Sequence, residues 1–141
     1  MDYRVTPRFT AGVEYHPAVG EILPRATWFV TPQTDRLPSV VLGATSDRLS
    51  TPRGQAYFAT FSKSFKGSPV VPFVSIKYGS DEGRLAFPFG ANLVVSERLT
   101  LQGLYDGNYS HGLVTYRFAD VNVSFVLARM KHPGLSLSFG F

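Results

Sequence analysis

The residues best suited to chemistry are Ser110 and His111, which come just after the turn Asp106-Gly107-Asn108, with Glu82 in an earlier turn. A hydroxyl, an imidazole and a carboxylate are the parts of a hydrolytic site, in which the base must reach the hydroxyl within hydrogen-bonding distance. Neighbouring residues on a strand point to opposite faces. Ser110 and His111 therefore do not read as nucleophile and base, and the sequence is read as a non-enzyme with no catalytic residue. The other histidines, His16 and His132, also sit beside turn regions, as do Glu21, Asp81, Glu82 and Asp106. Imidazole with carboxylate suits a transition metal, but no pair has tight ligand spacing, so no metal site is assigned. Cysteine is absent, which excludes disulfides and thiolate metal sites. No glycine-rich phosphate cradle of the P-loop or dinucleotide type occurs, and no cofactor is implied.

A second group of candidates is purely electrostatic. Arg8, Glu14, Arg25, Asp47, Lys77 and Arg117 share one side of an alternating pattern with many small polar residues. If that side faces inward, these charges must pair with one another. They would form either a salt-bridged filling or a narrow pore, whose excess of Arg and Lys would favour anions. Arg48, Arg53, Arg84 and Lys131 lie in or beside turns at one end of the pattern. Guanidinium matches phosphate bidentately, so this set suits contact with a phosphorylated lipid surface. Aromatic and charged residues segregate, which argues against the interleaved surface that binds nucleic acid.

The elements that must position these residues are strands. A period of two runs nearly the length of the chain, beginning with Tyr3, Val5, Pro7, Phe9, Ala11, Val13 and Tyr15 and ending with Leu135, Leu137, Phe139 and Phe141. It predicts strands over 2–16, 22–31, 39–48, 55–65, 70–79, 84–96, 98–106, 111–118, 120–130 and 134–141, with Gly, Pro and Asx turns between them. Ten strands is the expected number, with eight as the alternative. Pro7, Pro24, Pro72 and Pro88 fall inside these segments, although proline cannot donate to a ladder. The 141 residues read as a single domain, 1–141, with no linker or low-complexity segment. No apolar run is long enough for a membrane-spanning helix. Charged residues make up 17% of the chain, below the roughly 25% of ordinary soluble domains.

The two faces differ sharply. One carries Tyr57, Phe61, Val74, Ile76, Phe87, Phe89, Val114, Phe125 and Leu137; the other carries Thr60, Ser75, Asn92, Thr100, Thr115, Asn122, Ser124 and Ser136. Small polar side chains suit a narrow lumen, and tyrosine and phenylalanine near strand ends suit the two membrane interfaces. In this pattern, and in the terminal segment Leu135, Leu137, Phe139 and Phe141, the chain resembles a small bacterial outer-membrane β-barrel (the OmpA/OmpX-like class). The resemblance implies a closed antiparallel up-and-down transmembrane barrel. Its partners would be the lipid bilayer, lipopolysaccharide and the barrel assembly machinery, which would read the terminal segment as its signal. It also implies that both termini face the periplasm, and that a signal peptide, absent from this sequence, has been removed. The expected role is a structural anchor or a narrow channel with a charge-filled lumen. The alternatives are a soluble β-barrel binding a hydrophobic ligand and a lipid-modifying outer-membrane enzyme.

Overall fold

Alternation without helical periodicity calls for strands, and among the described residues every regular element is a strand. The computed structural model describes residues 2–16, 20–46, 54–81, 83–119 and 121–139. Its strands are β1 (Asp2–Thr6), β2 (Phe9–His16), β3 (Glu21–Thr31), β4 (Ser39–Ser46), β5 (Gln55–Ser62) and β6 (Val70–Gly79). They continue with β7 (Arg84–Ala86), β8 (Phe89–Val94), β9 (Leu99–Tyr105), β10 (Ser110–Phe118), β11 (Val121–Ala128) and β12 (His132–Phe139). All belong to one antiparallel, up-and-down sheet of 12 strands, each paired with its neighbour in sequence, with β7 and β8 both paired to β6. Among the described residues, β1 and β12 form the two edges.

The strand count departs from ten for two local reasons, both involving proline. The long first strand is in fact a hairpin: Thr6 pairs with Phe9 across the turn Pro7-Arg8. Proline pre-sets the backbone for the first central position of a tight turn, and Thr6 Oγ1 accepts the Arg8 N–H at 3.3 Å. The second departure is the gap between β7 and β8. Its register is unbroken, since Lys77 pairs with Ala86 and Val74 with Phe89. Pro88 has no N–H to give, but its carbonyl still accepts the Ser75 N–H at 2.7 Å. Thus β7 and β8 occupy one position in the sheet, interrupted where proline cannot donate. Pro24 and Pro72 stay within β3 and β6.

Splitting the first strand also reverses its direction. In a strictly antiparallel order, β1 then runs the same way as β12, so the expectation of both termini at one end of the sheet is not met by these strands. The β2–β3, β4–β5, β6–β7, β9–β10 and β11–β12 connections share one end, called here the loop end.

Burial follows the period of two. Along β6, Val74 and Ile76 are 47% and 44% exposed, while Ser75 between them is 7% exposed. Cross-strand hydroxyl pairs stitch the polar face: Thr60 to Ser75 at 2.7 Å, Thr115 to Ser124 at 2.8 Å and Ser39 to Ser62 at 2.7 Å. Among the described residues, the buried apolar side chains are Ala56 and Pro88. The apolar face carries most of the exposed large side chains, Phe89 among them at 54%. The enclosed face is therefore the polar one.

That face is not uniformly small. By register it also carries Phe58, Phe73, Leu104, Leu113 and Val126. The two phenylalanines lie directly opposite glycines, Phe58 opposite Gly43 and Phe73 opposite Gly90. A Cβ on either glycine would meet the opposing ring.

Candidate functional site

The most deeply buried polar groups are Asp106 and His111, at 1% and 2% exposed. They sit at the loop end, where β9 turns into β10. Asp106 opens the turn: its N–H donates to the Tyr109 carbonyl at 3.0 Å. Its Oδ1 accepts the N–H groups of Asn108 at 2.7 Å and Tyr109 at 2.8 Å. This is the local side-chain-to-backbone bonding that suits aspartate to turns, and Gly107 supplies the positive φ of 106° within it. His111 stands on the polar face of β10, opposite Leu104 of β9. Its Nε2 lies 2.8 Å from Asp106 Oδ2.

The other ring nitrogen fixes the protonation state. The backbone N–H of Arg129, in the β11–β12 turn, donates to His111 Nδ1 at 3.2 Å. A nitrogen that accepts carries no proton, so the imidazole is neutral and its hydrogen is on Nε2, donated to Asp106. Burial pushes the Asp106 carboxyl upward, but the N–H groups of Tyr109 and Asn108 and the imidazole outweigh it and hold the carboxyl below its ordinary value of 3.8. The carboxylate is ionised at neutral pH.

The arrangement closes on itself. Arg129 returns its guanidinium over the Tyr109 ring at 4.2 Å from the centroid, and Tyr109 is one of the two amides bound by Asp106. The path Asp106, His111, Arg129, Tyr109 and back to Asp106 thus ties the β9–β10 turn to the β11–β12 turn. The second turn needs such support. Arg129 and Met130 both have φ of 53°, a left-handed conformation that costs non-glycine residues on the order of 1 kcal/mol each.

Chemically, this is a fastening. By register Ser110 lies opposite Tyr105 on the apolar face and is exposed, while His111 lies on the polar face, so the two do not meet as nucleophile and base. His132, at the start of β12, is exposed, and among the described residues no group of three or more His, Asp or Glu gathers as a metal-ligand set.

The charged candidates separate. Arg25, Lys77 and Arg117 fall on the polar face by register. Lys77 is half-buried there and Arg117 is exposed, with Arg117 Nε donating to Asn122 Oδ1 at a long 3.4 Å. Arg8 lies in the exposed β1–β2 turn rather than within a strand, a correction that follows from the proline turn. Glu14 lies on β2; Asp47 lies outside the described residues. Arg84, at the start of β7, and Lys131, in the β11–β12 turn, are both exposed at the loop end, while Arg48 and Arg53 lie outside the described residues. Leu135, Leu137 and Phe139 pair with Phe125, Val123 and Val121 on the apolar face; Phe141 lies outside the described residues.

The turn at Asp106 and the matching parity of His111 are legible in the sequence. The role of Arg129 is not, because it reaches His111 through a backbone amide 18 residues away, which no residue type advertises. No protein-family model matches this chain, and no curated protein or solved structure matches it.

Proposed function

We propose that this chain is a bacterial outer-membrane β-barrel whose apolar face meets lipid acyl chains, and that it serves as a membrane anchor with a largely filled lumen. The observation that carries this reading is the inverted burial: Val74, Ile76 and Phe89 are exposed while Ser75 between two of them is enclosed. A soluble domain hides its apolar face, and exposed apolar patches far beyond a few hundred Å² mark interaction with membrane or partner. A shallow apolar groove on the same face, lined by Leu42, Tyr57, Ala59, Ile76, Tyr78 and Leu85, has the chemistry of an acyl-chain contact. The soluble ligand-binding alternative needs this face turned inward.

Closure would come from β12 pairing with β2. Counting β7 and β8 as one position, β2 to β12 make ten, the even number that lets first and last strands meet antiparallel. The two strands have equal length, 8 residues each. In this arrangement the short β1 yields its place on β2. Phe58, Phe73, Leu104 and Leu113 would fill the lumen alongside the hydroxyl pairs, favouring an anchor over an open channel.

Extraction tests the reading. The protein should require detergent and migrate faster on gels unheated than boiled. Solubility in buffer alone, without heat-modifiable migration, would refute it. In planar bilayers a filled lumen predicts no steady conductance.

A further inference from the structure

We propose that His111 is an acid-released latch: protonation at Nδ1 frees the β11–β12 turn at the loop end while the Asp106–His111 contact persists. The inference rests on the two bonds of one ring. At neutral pH, Nδ1 accepts the Arg129 N–H at 3.2 Å, and Nε2–H faces Asp106 Oδ2 at 2.8 Å. Imidazole is the side chain that takes up a proton between pH 8 and 5, and in this ring the only site left for it is Nδ1. The new N–H then points at the Arg129 N–H, turning an attraction into a donor–donor clash.

The Nε2 side responds in the opposite sense. An imidazolium beside an ionised carboxylate is a charge-assisted pair, stronger than the neutral bond. The β9–β10 turn therefore keeps its fastening, and only the β11–β12 turn is released. That turn is predisposed to move, since Arg129 and Met130 are both held at positive φ. The other titratable or cationic groups that neighbouring elements bring to this end are Tyr105 and Tyr109, Arg129, Lys131 and His132, with Asp81 of the β6–β7 turn and Arg84 of β7. His132 is a second imidazole at this end and is exposed, so the test must single out His111. The inference is local to two turns and does not depend on the membrane reading.

The chain has no cysteine, so a nitroxide on Lys131→Cys reports the turn alone. In the full folded chain, its spectrum should shift from ordered at about pH 8 to mobile at about pH 5. With His111→Gln added, the spectrum should not change with pH. A label equally ordered at both pH values, or a pH response that survives in H111Q, overturns the proposal. Should H111Q fail to fold, the ring ¹⁵N shifts of His111 in the parent decide. Nδ1 must gain its proton over the same interval in which the label loosens. A ring that stays neutral at the lower pH, or that protonates without loosening the label, refutes the latch.

Discussion

Phe73 lies directly opposite Gly90 across the β6–β8 pair, and its ring end stands 2.9 Å from where a Gly90 Cβ would be. The same Cβ would also strike the Gly103 carbonyl. Gly43 stands in the same relation to Phe58. In each case the absent side chain leaves room for the ring of the residue opposite, a cross-strand device that also fixes register.

Gly90→Ala and Gly43→Ala should each destabilise the sheet by about 1–3 kcal/mol through overpacking. Gly103→Ala is the control, because nothing lies within 4 Å of its Cβ position, and it should be close to neutral. Denaturant unfolding of the three variants checks the contrast. Equal effects at all three positions would remove the ring-on-glycine account.

Asp106→Ala should cost about 3 kcal/mol, since it removes the acceptor of the buried His111 ring and of two part-buried turn amides at once. Its pH dependence has a definite sign. The folded-state carboxyl lies below its unfolded value, so its contribution is fully present above the ordinary 3.8 and is lost as pH falls through the folded value. The parent should therefore lose stability between about pH 5 and about pH 2 more steeply than Asp106→Asn does. Unfolding midpoints of both proteins across that interval measure it, and parallel curves would contradict it.

Ala11→Cys on β2 should form a disulfide with a cysteine at one of positions 135, 137 or 139 on β12. Opposed strand residues have Cα atoms about 4.5–5.5 Å apart, within disulfide range. Tyr3→Cys on β1 should not crosslink to the same positions. The reverse pattern would show that β12 closes on β1, and an absence of crosslinks from either strand would show that the sheet does not close on β12.

Most of the strands were legible because their cause is local: alternation at each residue, and Gly or Asx at each reversal. The hairpin at Pro7-Arg8 was not. Tyr3, Val5, Pro7 and Phe9 keep perfect alternation through it, since the two-residue turn shifts the parity of the faces by one and the register irregularity between Arg4 and Thr6 shifts it back. Alternation alone therefore cannot distinguish one long strand from two short ones. Phe58 and Phe73 were hidden for a different reason. Their enclosure depends on which residue lies opposite, and a single strand does not reveal its partner's glycine. The Asp106 turn could be read from Asp106, Gly107 and Asn108 alone. Its fastening to Arg129 could not, because the bond is made by an amide that every residue possesses.

The central claim is that the apolar face, and not the polar one, meets lipid. A nitroxide moved one residue at a time along β6, from 70 to 79, in lipid vesicles tests it most directly. Collisions with oxygen, which concentrates among acyl chains, should peak at 70, 72, 74, 76 and 78 and fall at the positions between. Peaks at the positions of Phe73, Ser75 and Lys77, or collisions with no period of two, would contradict the account.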